Sequence, residues 1–356
     1  MELKPFDIYA SHGRKVKENG LAEQSPFLTD YFRILESKSY RRLSYKTQVF
    51  SFPEHPHIRT RAIHTNEVVS ASGRIAESLG LNTALAIAIA AGHDIGHAPY
   101  GHLGEETLTE LGEKPFRHEV FGVVLAQEIE NRGLGLNLTY ETLDGILHHA
   151  RGEKSITINH SKPAEYGAAV LGDKIAYVWS DYSDARRYGY FPLEKHSGLV
   201  DDIDKYLGDK TDERKEACIS AVINESKQEG FISFSRGAEF ELFDQLKSVL
   251  YKEVYEEIDI SVHDIVLKNL YSFIKDNKEF QAEYNHIDPV IFIALLTDRD
   301  LTEFGKQRLS TKKLGLKDIE REFRGVFEIL PNIKGKKIDY SKANLQWADQ
   351  ASYASE

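Results

Sequence analysis

The stretch TALAIAIAAGHDIGHAPYGHLGE, residues 83–105, decides how the rest of the chain is read. Its first nine residues are apolar all round and rich in alanine, the composition of a helix buried among other helices. That run leads straight into Gly92, His93 and Asp94, so a polar motif is expected at the end of a core helix. Adjacent His93 and Asp94 offer one imidazole nitrogen and one carboxylate oxygen, either to a single ion or to two neighbouring ones. Gly92, Gly96, Gly101 and Gly104 are expected to let the backbone turn tightly around whatever binds there.

On either side of this stretch the signal stays helical. Val68, Val69, Ile75, Ala76 and Leu79 recur at helical spacing and predict an amphipathic helix over 66–79 with Gly80 as its stop. Pro163 suits a first turn, and no second proline interrupts the chain until Pro192, although Gly167 and Gly172 weaken the helix between them. Residues 239–257 and 262–275 also carry apolar side chains three and four positions apart. Alternating patterns are scarce, with 155–159 and 230–234 the only strand candidates. The expected fold class is therefore all-α, with at most minor β structure. No repeat, low-complexity tract or flexible linker divides the 356 residues, which predicts one compact unit with extensions.

Composition excludes several classes. With 41% apolar and 28% charged residues the chain is too hydrophobic to be disordered. No stretch is long and apolar enough to span a bilayer, and the first fifteen residues hold no apolar signal core, so no membrane association and a cytoplasmic location are expected. Cys218 stands alone, which rules out an internal disulfide and a cysteine-built zinc site; a metal must be held by nitrogen and oxygen. The net charge of −11 argues against general affinity for nucleic acid. Locally, Arg41, Arg42, Lys46, Arg59 and Arg61 stand against the single acid Glu54, which reads either as an anion site or as a solvated basic turn.

Seven of the fourteen histidines (55, 57, 64, 93, 97, 102 and 118) fall within 64 residues. Imidazole serves both as a metal ligand and as a proton donor near neutral pH, and such density suggests both uses in one place. A His-Asp dipeptide alone is a weak signal: His263-Asp264 lies in an ordinary amphipathic segment and reads as structural. His93-Asp94 gains weight from His64, 29 residues upstream at a helix start, and from Asp173, 79 residues downstream inside another helix.

Arg61-x-x-His64, His93-Asp94 and the distant Asp173 resemble the metal-binding pattern of the HD-domain phosphohydrolases. Within them the chain is most similar to the dGTPase-like deoxynucleoside triphosphate triphosphohydrolases. The likeness runs from SKSYRRLSYKTQVF (37–50) through RTRAIHTNEV (59–68), HDIGHAPYGHLGE (93–105), FRHEVFG (116–122) and TLDGILHH (142–149) to GDKIAYVWSDYSDA (172–185). A fainter echo is IALLTDRDLTEF (293–304). Departures are Ala98 where proline is usual, Tyr100 for phenylalanine, and EVFG after His118; they bear on pocket shape and substrate preference and remove no ligand.

The resemblance implies an HD-domain helical bundle with additional peripheral helices. It implies an N-terminal extension (1–36), a metal-dependent catalytic core (37–200) and a helical C-terminal region packing on it (201–356). It implies one divalent transition metal (Mn²⁺, Fe²⁺, Co²⁺, Ni²⁺ or Zn²⁺) on His64, His93, Asp94 and Asp173, with Mg²⁺ an option on the nucleotide. Metal-activated water then attacks the α-phosphorus of a dNTP, giving deoxynucleoside and tripolyphosphate. His102 matches the acid that protonates the departing 5′ oxygen, with Glu105 poising it, and His97 and His118 match phosphate-contacting positions. Arg61, Lys174 and Tyr177 match phosphate contacts, Asp181 a contact to the sugar 3′-hydroxyl, and Gln48 a side chain beside the deoxyribose that disfavours a ribose 2′-hydroxyl. A homo-oligomer and a regulatory nucleotide or single-stranded DNA also follow from the family.

Two other readings stay open at this level. Another HD phosphohydrolase, acting on 5′-nucleotides, cyclic nucleotides or (p)ppGpp, shares the four metal positions but not the arrangement of His97, His102, Glu105 and the DKxxYxxxD motif. A non-catalytic nucleotide or single-stranded nucleic-acid binding protein keeps the pocket without the chemistry. The charged residues after 306 show no chemistry and read as a peripheral helix or subunit contact.

Overall fold

The computed structural model describes residues 3–18, 25–49, 59–150, 158–257, 261–308 and 316–347. Among these residues there are seventeen α-helices and no β-strand, only the isolated bridges Arg14 to Thr139 and Thr47 to Thr60. The fold is all-α.

In the first half of the chain lie α1 (Pro26–Glu36), α2 (Lys38–Arg42), α3 (Arg61–Ser78), α4 (Thr83–Gly92), α5 (Gly101–Leu111), α6 (His118–Val124), α7 (Tyr140–Leu147) and α8 (Ala164–Tyr188). The alanine-rich α4 starts where the Asn82 side chain accepts from the Leu85 N–H, and it is buried on nearly all sides by α1, α3, α7 and α8. Its C-terminal end, where His93 and Asp94 follow, is thereby held in the middle of the molecule. The long α8 begins after Pro163, its N-cap, and ends at Gly189, whose φ of 75° is the left-handed conformation that stops helices.

The glycines that weaken α8 in sequence have a packing use. A Cβ on Gly172 would collide with Ser72 of α3, and one on Gly167 with Ile232. Likewise, of the four glycines near His93, only Gly101 has a positive φ; Gly92, Gly96 and Gly104 sit where a Cβ would strike Ile146, the His118 carbonyl and the Pro99 carbonyl. They serve close approach of chain segments more than tight turning.

The second half holds α9 (Ser197–Leu207), α10 (Thr211–Glu229), α11 (Ala238–Leu250), α12 (Ser261–Asp276), α13 (Lys278–Tyr284), α14 (Pro289–Ala294), α15 (Asp298–Arg308), α16 (Leu316–Glu322) and α17 (Arg324–Phe327). One hydrophobic cluster joins α3 and α8 to α9, α10 and α11; another joins α5 and α6 to α12 and the helices after it. Both therefore draw side chains from each side of residue 200. The charged tail contributes to the second cluster through Leu316, Ile319, Phe323 and Val326. Residues 3–18 lie against the bundle through buried acids: Glu165 accepts from the Phe6 N–H, Glu141 from Ser11 and His12, and Asp30 from Arg14.

Three sequence expectations need correction. Helix α3 starts at Arg61, five residues before the predicted 66; its first turn faces the site with Arg61 and His64, so it shows no apolar stripe. Residues 230–234 are not a strand. Ile232 and Phe234 are buried, but the alternation ends in core contacts, while Ser233 and Ser235 donate to Glu225. Of 155–159, residues 155–157 lie outside the described residues and 158–159 are not in a strand.

Candidate metal and phosphate site

His64 projects from the first turn of α3, His93 and Asp94 follow the end of α4, and Asp173 lies in the middle of α8. The three helices pack together, so the four side chains converge. His93 Nε2 is 3.4 Å from His64 Nε2, 3.3 Å from Asp94 Oδ1 and 3.8 Å from Asp173 Oδ1. His64 Nε2 lies 3.1 Å from Asp173 Oδ1. His93 Nδ1 is 2.6 Å from the Ala90 carbonyl, which fixes the tautomer: Nδ1 carries the proton and Nε2 presents its lone pair. A lone pair facing a second imidazole and two carboxylate oxygens is a donor set suited to a cation, and separations of about 3 to 4 Å suit ligands bound at about 2.1 Å. The donor set fits one divalent metal of the kind that takes imidazole and carboxylate.

Next to this group lies a second one. His97 Nε2 is 3.1 Å from Asp94 Oδ1, and its ring stacks on that of His118 with centroids 3.8 Å apart. His118 Nδ1 lies 2.8 Å from Glu105 Oε2, while His102 Nδ1 is 3.5 Å from the same oxygen. Glu105 thus grips His118 more closely than the His102 it was expected to poise. His102 is the exposed member, with 62% of its side chain accessible, and with Glu105 it borders a cavity of about 550 Å³. Burial alone lowers the His118 pKa, but the Glu105 charge and hydrogen bond outweigh it and raise the imidazole above its ordinary value. Glu105 moves down in return: burial opposes its ionisation and the His118 charge overcomes that. Burial, Arg61 and His118 hold His97 well below the usual histidine range.

On α8, Asp173, Tyr177 and Asp181 share one face as their four-residue spacing predicts. Lys174 Nζ sits 5.3 Å from the Tyr177 ring centroid. The Tyr177 hydroxyl is 3.2 Å from that of Tyr251, and Tyr255 donates to Asp181 Oδ2 at 2.7 Å. Both tyrosines stand on a π-helical turn, Tyr251–Tyr255, that continues α11. Such turns are frequent at functional sites. Gln48 Oε1 is buried with no hydrogen-bond partner among the described residues.

Burial pushes the Asp181 carboxyl up to about 7. Its ordinary value of 3.8 in the unfolded chain means that the folded protein alone holds this proton between pH 4 and 7, so stability falls as pH rises through that window. In metal-free protein, Asp181→Asn is therefore expected to gain on the wild type by about 3 kcal/mol between pH 5 and pH 8. Urea unfolding at both pH values reads the difference; a gap that does not widen contradicts the assignment.

Of the basic run Arg41 is exposed, as a solvated turn would have it, while the other four cations are paired or buried. Arg42 lies beside Glu130, Arg59 pairs with Glu67 and Asp184, and Lys46 is buried with its ammonium on the His97 and Ala294 carbonyls. Burial and Arg42 push Lys46 down to about 7. Arg61 donates to Asp94 Oδ2 at 2.8 Å and to the Gln48 carbonyl at 3.2 Å. All these partners lie outside residues 40–61, and all but Glu67 are far away in sequence, so a local charge count misses them. Glu54, His55 and His57 lie outside the described residues.

Sequence reasoning passed over His149. It is buried, its Nδ1 lies 2.7 Å from the Ile146 carbonyl, and its Nε2 faces His118 Nε2 at 3.2 Å. Burial, then His118 and His93, push its pKa down to about 3 and keep it neutral. Only the His148-His149 doublet hinted at it. His263 and Asp264, set aside as structural, stand behind the helix that carries His102 and Glu105: His263 packs on Tyr100, and Asp264 bonds Thr107 and Lys268.

Residues 61–209 match the family model of the HD domain, so the fold and the histidine-aspartate cluster define an HD-domain phosphohydrolase. The chain is 40% identical over 260 residues to the deoxyguanosinetriphosphate triphosphohydrolase-like protein of Caldanaerobacter subterraneus subsp. tengcongensis, covering 72% of this chain and 74% of that one. It is 38% identical to the protein of that name from Clostridium tetani (68% and 70% covered). It is 33% identical to that of Desulfatibacillum aliphaticivorans (85% and 94% covered). The chain belongs to this deoxyguanosinetriphosphate triphosphohydrolase-like family. Among the described residues no helix is long and apolar enough to cross a membrane.

Proposed function

We propose that this protein is a metal-dependent dNTP triphosphohydrolase, converting a dNTP and water to a deoxynucleoside and tripolyphosphate. The observation that carries the reading is the convergence of two adjacent groups. Lone-pair donors at His64, His93, Asp94 and Asp173 lie beside the His97, His102, Glu105 and His118 cluster, linked through the Asp94 to His97 contact. A divalent ion on the first group supplies Lewis acidity and lowers the pKa of water from 15.7 toward roughly 7.

The chain's own groups do the rest. Water's oxygen bonds to the α-phosphorus, the bond from phosphorus to the 5′ oxygen breaks, and His102 delivers a proton to that oxygen. His118, beside the Glu105 carboxylate that favours its protonated form, and His97 contact the phosphates, with Lys174 and Tyr177 on the α8 side. Arg61 orients Asp94 and the Gln48 backbone as well as adding positive charge. Asp181, with Tyr255 on its other oxygen, receives the 3′-hydroxyl, and Gln48 crowds a 2′-hydroxyl.

Residues 37–200 form the catalytic core in this reading, with 1–36 an extension and 201–356 packed on it. Homo-oligomeric assembly, activation by a nucleotide or single-stranded DNA, and a cytoplasmic location rest on the family resemblance. The base and the metal are left open. The test is incubation with each dNTP and NTP across Mn²⁺, Fe²⁺, Co²⁺, Ni²⁺, Zn²⁺ and Mg²⁺, with product identification. Tripolyphosphate and deoxynucleoside in equal amounts are expected. Orthophosphate, pyrophosphate or a nucleoside monophosphate as the product points to a different hydrolase, and no hydrolysis at all to a binding protein.

A further inference from the structure

Asp298, the first residue of α15, is buried, and both its oxygens point back toward the site. Oδ2 accepts from the Thr47 N–H at 2.8 Å and from the Thr47 hydroxyl; Oδ1 accepts from the Tyr100 N–H at 2.9 Å. These partners lie 251 and 198 residues away. Thr47 directly precedes Gln48, and Tyr100 lies two residues before His102.

Neither segment holds this geometry by itself. Tyr100 has φ of 62°, a left-handed conformation unusual outside glycine, at the N-cap of α5, and its side chain makes no capping bond. Among the described residues Thr47 lies in no sheet: it has an isolated bridge to Thr60, and Arg61 donates to the neighbouring Lys46 and Gln48 carbonyls. The adjacent Lys46 ammonium ties the same pieces together, since it donates to the carbonyls of His97 and Ala294. The N–H groups of half-buried Thr47 and buried Tyr100 both find their acceptor in this one carboxylate.

We infer that Asp298 is a positioning residue: a single carboxylate from the C-terminal region clamps the segment presenting Gln48 to the turn presenting His102, coupling sugar selection to leaving-group protonation. The inference rests on the proposed dNTP reaction for its functional half and on the hydrogen bonds alone for its structural half.

The experiment compares the full-length wild type with Asp298→Ala, Asp298→Asn and Thr47→Val. It reads kcat and KM for matched dNTP and NTP pairs, and amide hydrogen exchange at Thr47 and Tyr100. Asp298→Ala should lower both the kcat and the dNTP-over-NTP preference about tenfold or more, because misplaced groups lose rate steeply. It should also speed exchange at both amides. An amide oxygen still accepts but an amide nitrogen does not, so Asp298→Asn should lose one arm and expose one of the two amides. Thr47→Val removes only the hydroxyl bond; it should reduce the sugar preference several-fold with a smaller effect on kcat than Asp298→Ala, and leave the Tyr100 amide protected. Unchanged exchange at Thr47 and Tyr100 in Asp298→Ala overturns the clamp. If that variant does not fold, an unchanged sugar preference in Thr47→Val does so instead. A wild type without dNTP hydrolysis overturns the proposed reaction and the coupling with it, whereas the exchange data still decide the clamp.

Discussion

The double substitution His93→Ala with Asp94→Ala is expected to strip the protein of its metal and to lower turnover by about three orders of magnitude or more. Two of the four donors that face one another across 3.1 to 3.8 Å disappear. The remaining pair, His64 and Asp173, cannot enclose an ion. Lewis acidity and hydroxide at neutral pH go together with it, and each is worth several kcal/mol of barrier. Asp94 also accepts from Arg61 and faces His97, so the variant leaves a buried guanidinium without its acid, and circular dichroism must accompany the assay. Elemental analysis of anaerobically purified protein gives the primary reading. Stoichiometric metal in the double variant overturns the ligand assignment. The other His-Asp pair supplies the control: Asp264 bonds Thr107 and Lys268 and none of the four donors, so Asp264→Ala should keep the metal.

Replacing His102 by alanine should cut kcat by 10²- to 10⁴-fold, about what a positioned general acid contributes. Metal content should not change, because His102 touches none of the four donors, and its exposure makes the substitution tolerable for the fold. Affinity for the dNTP should stay within a few-fold, so the loss falls on kcat and not on KM. Unaltered turnover would place the acid elsewhere, and His118, gripped by the same Glu105, becomes the next group to replace. Glu105→Gln should weaken both histidines at once, because its Oε2 lies 2.8 Å from one and 3.5 Å from the other.

What could be read from the chain was whatever local pattern carries. The apolar run before His93 announces a buried helix whatever it packs against, and α4 spans Thr83–Gly92 as that run predicts. His93 and Asp94 stood out at the end of an apolar run with glycines around them, whereas His64 and Asp173 joined them as ligands through the family resemblance; the fold places these four side chains next to one another. The beginning of α3 was hidden, because a turn whose inward face is Arg61 and His64 has no hydrophobic period to detect. The basic run was misread for a related reason: Glu67 lies just past its end, and Asp94, Glu130 and Asp184 reach it from distant parts of the chain, so a count from 40 to 61 registers none of them. Tyr251 and Tyr255 looked like ordinary members of an amphipathic helix. Only the change of pitch at the end of α11 explains how both hydroxyls come to α8.

The grip of Glu141, Glu165 and Asp30 on residues 6–14 bears on how the protein can be trimmed. A form shortened to begin at α1 would leave Asp30 with Thr139 and Glu165 with Asn82, but would take from Glu141, in the first turn of α7, its Ser11 and His12 donors. A carboxylate bared in this way draws in water or a proton, so clipping the leading arm, by design or by a protease, should loosen the start of α7, whose far end leads to His149, before it touches any metal ligand.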